Sequence, residues 1–174
     1  MSVVLGLAIA VVPAAAAKPL ATAKKPPGVG FVSAEQVRAA IGAQRGRIVL
    51  LHLWATWCLP CLEELPTMGE FARAAKKRGV SVVSVSLDDP SDRAAEKVAR
   101  VLAAKTGGAI ESAILRTDDP QGFIHGVDPR WEGDIPALFV YDRQGNLRRA
   151  HVGEATREDL DKLVVGLDGN VAGK

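Results

Sequence analysis

Both cysteines of this 174-residue chain fall inside one short segment, Trp54-Ala55-Thr56-Trp57-Cys58-Leu59-Pro60-Cys61, and the residues on either side of it have different periodicities. Upstream, Ile48-Val49-Leu50-Leu51-His52-Leu53-Trp54 is apolar, short and partly β-branched, which predicts a buried strand from about Arg47 to Trp54. Downstream, Leu62-Glu63-Glu64-Leu65 and Phe71-Ala72-Arg73 continue at helical spacing. They predict a helix running to about Arg78 and kinked at Pro66, which lacks a backbone donor. Cys58 therefore stands at the mouth of a helix, where unpaired N–H groups and the positive end of the macrodipole favour a thiolate over a thiol. Thiols in such settings ionise at roughly pH 3.5–7.5 instead of about 8.5, and the thiolate is the attacking species. Cys58 is the expected nucleophile. Cys61, about one turn further in and shielded by the helix and Pro60, is the expected resolving thiol. Leu59-Pro60 suits a first helical turn, because proline's fixed φ is already helical and its missing donor is not needed there.

Other uses of a C-x-x-C pair fit less well. A structural zinc site needs four N or S ligands, and only His52, His125 and His151 remain, with no H-x₃₋₅-H pair, so no metal site is expected. A c-type haem site needs His directly after the second cysteine, and position 62 is Leu. A purely structural disulfide closing so short a loop stabilises little. The expected prosthetic element is a redox-active Cys58–Cys61 disulfide, with no further cofactor.

The length suits one domain with a short extension. A net charge of +2 with scattered Lys and Arg, and only Lys76-Lys77-Arg78 as a run, speaks against a nucleic-acid surface. That run reads as a solvated helix end. Residues 1–17 carry no charge, are apolar from Val3 to Val12, and end in Ala14-Ala15-Ala16-Ala17, which reads as a signal peptide and predicts an exported, periplasmic or otherwise extracytoplasmic protein. No Lys or Arg precedes the apolar run. The rival reading is an uncleaved membrane tether, although the run is shorter than the ~20 apolar residues of a membrane span. Residues 18–30, rich in Lys, Pro and Gly, read as a linker, 31–168 as the domain and 169–174 as a tail.

Within the domain, Ser33 with Gln36 forms a capping-box pattern for a short helix ending near Gly42. Val80–Leu87 alternates as a second central strand. Asp89-Pro90 predicts a helix start with proline at its first position, Val98, Val101 and Leu102 supply that helix's apolar stripe, and Gly107-Gly108 ends it. Residues 113–116 form a short strand, and Asp118-Asp119-Pro120 is a turn or another helix start. Residues 136–141 and 147–152 flank Asp142-Arg143-Gln144-Gly145-Asn146 as an antiparallel hairpin. Thr156 with Asp159 caps a last helix through Leu160, Leu163 and Val164. The order predicts an α/β fold with a mixed central sheet flanked by helices in three layers.

Trp54 to Cys61, followed by Glu64, Leu65 and Pro66, resembles the active-site signature of exported or membrane-tethered proteins of the TlpA/ResA family, which have the thioredoxin fold. The stretch Asp134-Ile135-Pro136-Ala137-Leu138-Phe139-Val140-Tyr141-Asp142-Arg143-Gln144-Gly145-Asn146-Leu147 is similar to that family's proline strand and hairpin. The resemblance covers roughly residues 30–168. It implies an enzyme, a thiol–disulfide oxidoreductase that reduces protein disulfides, with electrons from a membrane thiol reductant and apocytochromes c among the partners. A monomer is expected.

The resemblance also implies a cis peptide before Pro136, with Ile135 and Pro136 binding the extended substrate chain; by position alone Pro136 could equally open an edge strand. Trp57, Leu59 and Pro60 would form the remaining substrate surface. Glu64, one turn after Cys61, would tune proton transfer to the cysteines, or merely complement the helix dipole as Glu63 does. His52 departs from the aspartate that many thioredoxins carry six residues before the first cysteine. On an alternating strand it shares a face with Leu50 and Trp54, where a neutral imidazole either accepts a proton from Cys61 or is a satisfied core histidine. The proton acceptor is left among His52, Glu64 and water. Trp54 is expected in the core, and Trp131 either borders the substrate groove or anchors a loop. Three other functions stay open: a disulfide oxidase or isomerase on the same scaffold, a redoxin-type thiol peroxidase, and a non-catalytic Cu(I)-binding chaperone using both thiolates.

Overall fold

Ile48–Trp54 forms strand β2, which is buried at every position and hydrogen-bonded to a neighbour on each edge. A strand covered on both faces needs apolar side chains throughout, which is why Ile-Val-Leu-Leu-His-Leu-Trp does not alternate. The structure, a computed structural model, describes residues 29–167. The expected signal segment, nearly all of the linker and the tail lie outside the described residues.

The elements follow the order β1 Phe31–Val32, α1 Ala34–Gly42, β2, α2 Leu59–Ala75 with a 3₁₀ turn Lys76–Arg78, β3 Val80–Ser86 and α3 Asp92–Thr106. Then come β4 Ser112–Leu115, α4 Pro120–Val127, β5 Ala137–Tyr141, β6 Leu147–Val152 and α5 Arg157–Val164. They build one sheet in the order β1-β4-β3-β2-β5-β6. The β1–β4, β4–β3 and β3–β2 pairs are parallel, and β2–β5 and β5–β6 are antiparallel. Leu50 and Trp54 face one apolar cluster with residues of α2, α3 and α5, while Val49, Leu51 and Leu53 face the other with Val37 and Ile41 of α1 and Phe123 of α4. This is the expected three-layer α/β arrangement.

Local signals account for most boundaries. Ser33 and Gln36 close a reciprocal capping box on α1, and Thr156 and Asp159 do the same on α5. Gly107 ends α3 in the left-handed conformation at φ 58°. One start differs from expectation. Helix α3 begins at Asp92 rather than at Pro90, because the Ser91 hydroxyl accepts from Ala94 N at 3.2 Å and so caps two residues later. Pro66 lies on the exposed side of α2, and the helix runs on through it.

Gly69 sets the distance between α2 and α3. A Cβ there would stand 3.0 Å from Cα and Cβ of Thr106 and 3.3 Å from its carbonyl oxygen. Thr106 has little freedom to retreat, since its hydroxyl donates to Leu102 O at 2.8 Å and its carbonyl accepts from Arg73 Nη1 at 2.8 Å. Alanine would gain about 1 kcal/mol of helix propensity but incur roughly 1–3 kcal/mol of overpacking. Gly69→Ala is therefore expected to lower the denaturant midpoint of unfolding.

The chain's one tyrosine, Tyr141, packs against the apolar cluster on the opposite side of the sheet. Burial, reinforced by the charge of Asp128, pushes its phenol up to about 12. The fold thus favours the neutral phenol, a stabilisation complete below the ordinary value of about 10 and lost as pH rises from there through about 12. Ultraviolet titration is expected to place the native midpoint near 12, against about 10 in denaturant.

Candidate functional site

The turn from β2 to α2 carries the cysteines. Cys58 N donates to Ala55 O at 3.2 Å, closing a turn over Thr56 and Trp57, and Cys58 then serves as the N-cap of α2. Its Sγ accepts from Cys61 N at 3.3 Å, so a helix-terminal amide points at the sulfur that would carry a thiolate. Cys58 and Cys61 are joined as a disulfide. Their exposures are 6% for Cys58 and 0% for Cys61. The Ile135–Pro136 peptide is cis, and the Ile135 carbonyl oxygen lies 3.6 Å from Cys58 Sγ.

Trp57 and Leu59 are 65% and 64% exposed, and Pro60 is exposed as well, so a large apolar surface surrounds the less buried sulfur. Trp57 also forms a wall of a 390 Å³ cleft together with Leu87, Pro90, Leu115 and Phe123. Trp54 is in the core. Trp131 is a buried loop anchor: it packs edge-on against Phe123 and Phe139, and its Nε1 donates to Asp134 O at 2.9 Å, directly before Ile135. It does not line that cleft.

Behind Cys61, the residues expected as alternative proton acceptors form one unit. His52 Nε2 lies 3.0 Å from Glu64 Oε1, with both side chains fully buried, while Glu63 is exposed. Glu64 Oε2 accepts from Ala155 N at 3.0 Å. His52 Nδ1 meets Ser84 Oγ at 3.3 Å, Ser84 Oγ donates to Ser112 Oγ at 3.3 Å, and Ser112 accepts from Trp54 Nε1 at 3.2 Å and donates to Ala113 O. Following the protons assigns the tautomer. With the hydroxyls of Ser112 and Ser84 committed, Nδ1 must carry the proton it donates to Ser84. Nε2 is then the ring nitrogen that faces Glu64 Oε1 across the 3.0 Å contact. His52 is thus neither an isolated core histidine nor a free base.

A second buried carboxylate, Asp88, was not singled out by the sequence. It accepts from Thr56 N at 2.9 Å and also from the hydroxyls of Thr56 and Ser86. The parallel register pairs Trp54 with Ser86, so that Thr56 and Asp88 each lie two residues beyond the last paired position. That register holds the signal; in the sequence Asp88 is masked by Asp89-Pro90, which looks like a helix start. Ser84, the in-register partner of His52, is found by the same route. Among the described residues, no group of three or more His, Cys, Asp or Glu side chains gathers where it could hold a metal ion.

Residues 31–150 match the AhpC/TSA family. Proteins named thiol-disulfide oxidoreductase ResA are similar to the chain. The one from Geobacillus kaustophilus is 29% identical over 118 residues, 68% of this chain and 62% of its own length. The one from Geobacillus thermodenitrificans is 32% identical over 67% of this chain and 60% of its length. The chain thus spans under two thirds of these curated relatives. A thiol:disulfide interchange protein of the thioredoxin family from Chlorobium tepidum superposes with a TM-score of 0.59 at 25% identity, covering 74% of this chain and 84% of that one. The fold is the thioredoxin fold that the two motifs implied.

The His52–Glu64 contact should be measurable as a coupling. His52→Leu strips Glu64 Oε1 of its donor and Glu64→Leu strips Nε2 of its acceptor, and each is expected to destabilise by about 1–3 kcal/mol. Once both partners are gone neither leaves the other unpaired, while the loss of Ala155 N's acceptor and of Ser84's imidazole partner is common to the single and double variants, so the double variant should be more stable than the sum of the two effects by about 0.5–3 kcal/mol in a denaturation cycle.

Proposed function

This chain belongs to the AhpC/TSA family, and we propose that it is an exported thiol–disulfide oxidoreductase that reduces disulfides in protein partners. The observation that carries this reading is the asymmetry of the cysteine pair: Cys58 is the N-cap of α2 and keeps 6% exposure, while Cys61 lies fully buried a turn behind it. The names of the similar proteins from Geobacillus and Chlorobium support the activity. The apolar N-terminal segment supports export to the periplasm or another extracytoplasmic space, cleaved or as a tether. Within the described residues, no helix is long and apolar enough to cross a membrane.

In the reducing direction the Cys58 thiolate attacks one sulfur of the partner's disulfide, and the other partner sulfur leaves as a thiolate. Cys61 then gives up its proton, attacks Cys58 in the mixed disulfide and releases the partner's second thiol. Two electrons have passed to the partner, and Cys58–Cys61 is oxidised. Glu64, one turn from Cys61 and held by His52 and Ala155 N, is the group to take the Cys61 proton. Trp57, Leu59 and Pro60 offer the partner an apolar seat, and the Ile135 carbonyl beside the cis Pro136 offers its chain a backbone acceptor. Extended unfolded chains such as apocytochromes c suit that surface. A membrane thiol reductant would return the pair to the dithiol.

A redoxin-type thiol peroxidase is the second reading, and the AhpC/TSA match is what favours it. Insulin reduction coupled to a thiol donor separates the two. Wild type should reduce insulin and react only slowly with hydrogen peroxide. Cys58→Ser should lose at least about a hundredfold in rate, as expected when the nucleophile is removed. Cys61→Ser should accumulate a mixed disulfide that resolves poorly. Wild-type insulin reduction by Cys58→Ser would overturn the reading, and rapid peroxide consumption without insulin reduction would select the peroxidase.

A further inference from the structure

Asp88 holds the turn that presents Cys58, yet it belongs neither to the cysteine helix nor to the His52–Glu64 unit. Its carboxylate, only 6% exposed, accepts Thr56 N at 2.9 Å and the hydroxyls of Thr56 and Ser86, while its own N–H donates to Ser86 Oγ at 3.1 Å. Three donors converging on two oxygens is the pattern of an ionised, acceptor-only carboxylate. None of the ion pairs among the described residues includes it. Thr56 is buried and lies two residues before Cys58, a separation of at most about 7 Å along the chain. The β3 segment is pinned at the same level, since Leu87 N donates to Trp54 O at 2.8 Å. Asp88 therefore lies across the base of the Ala55–Cys58 turn from a sheet position that does not move independently of β2.

Two consequences follow for the redox pair. Mechanically, the carboxylate holds the backbone at Thr56, and through the turn it aims Trp57 and Cys58. Electrostatically, a buried carboxylate bound to Thr56, at the base of the turn that carries Cys58, opposes the helix N-terminus, which favours the thiolate. A less stable thiolate means a less stable reduced form relative to the disulfide. We propose that Asp88 is a positioning residue for the redox pair: it fixes the Cys58 turn through Thr56 and, by its charge, makes the dithiol a better electron donor. This rests on the reading of the pair as a reductant and assigns part of its driving force to one side chain.

The test equilibrates the full chain with glutathione, so that protein disulfide plus two glutathione thiols gives protein dithiol plus glutathione disulfide, two electrons passing to the protein pair. Asp88→Asn removes the charge and keeps the shape. Its equilibrium constant for reduction is expected to rise about tenfold, or about 30 mV toward a more oxidising pair. Ser86→Ala keeps the charge but strips one donor from it, and is expected to move the constant in the opposite direction. Should Asp88→Asn not fold, a fall in the constant for Ser86→Ala still supports the proposal. An unchanged constant in both variants would overturn it, and a shift of the same sign in both would show disturbed packing in place of charge and would overturn it equally. Insulin reduction measured alongside keeps the two readings apart. A chain that equilibrates as expected but reduces no insulin disproves the reductase reading and leaves the role of Asp88 standing.

Discussion

The double-sided burial of β2 is the constraint from which the site follows. A strand paired on both edges and covered on both faces leaves no water for a polar side chain, so His52 must find protein partners or destabilise the core. It finds Glu64 on α2 and Ser84 on β3. The strand thereby ties the helix that carries the cysteines to the neighbouring strand through polar contacts as well as through apolar packing. The same strand ends at Trp54, where the chain turns into α2, so the position of Cys58 is inherited from a strand paired on both edges and buried throughout.

Around the cysteines the electrostatics are asymmetric. The α2 terminus supplies a partial positive charge and an amide donor to Cys58, which favours ionisation of that sulfur. Cys61 lies deeper, one turn from a carboxylate already bound by two donors. The two sulfurs thus stand in different electrostatic surroundings. Trp57 and Leu59, the chain neighbours of Cys58, are exposed, while Cys61 is fully buried.

Much of this was legible in the sequence, for identifiable reasons. The βα junction, the capping boxes at Ser33 and Thr156, and the hairpin around Gly145 are local, and short-range patterns describe them adequately. His52 was placed correctly on the face of Leu50 and Trp54 by alternation alone. What alternation could not supply was its partner. The contact with Glu64 depends on how α2 lies over β2, a tertiary relation no local period encodes. Asp88 was hidden for a similar reason, as its role exists only once β3 is in register with β2. Ser91 out-competed Asp89-Pro90 for the start of α3 because a hydroxyl cap was available two residues later. For Trp131 the sequence leaves groove and anchor equal, because its packing against Phe123 and Phe139 is tertiary.

The Ala155 amide that completes the shell of Glu64 stands 91 residues further along the chain. Both cysteines therefore leave the ribosome long before the group behind them can be assembled, and closing so long a loop is among the later events in a folding chain. Until β6 and the segment leading into α5 dock, Glu64 lacks one of its two donors. The shell around Glu64 is therefore complete only once the C-terminal part of the domain has folded, so its formation doubles as a report that folding has finished.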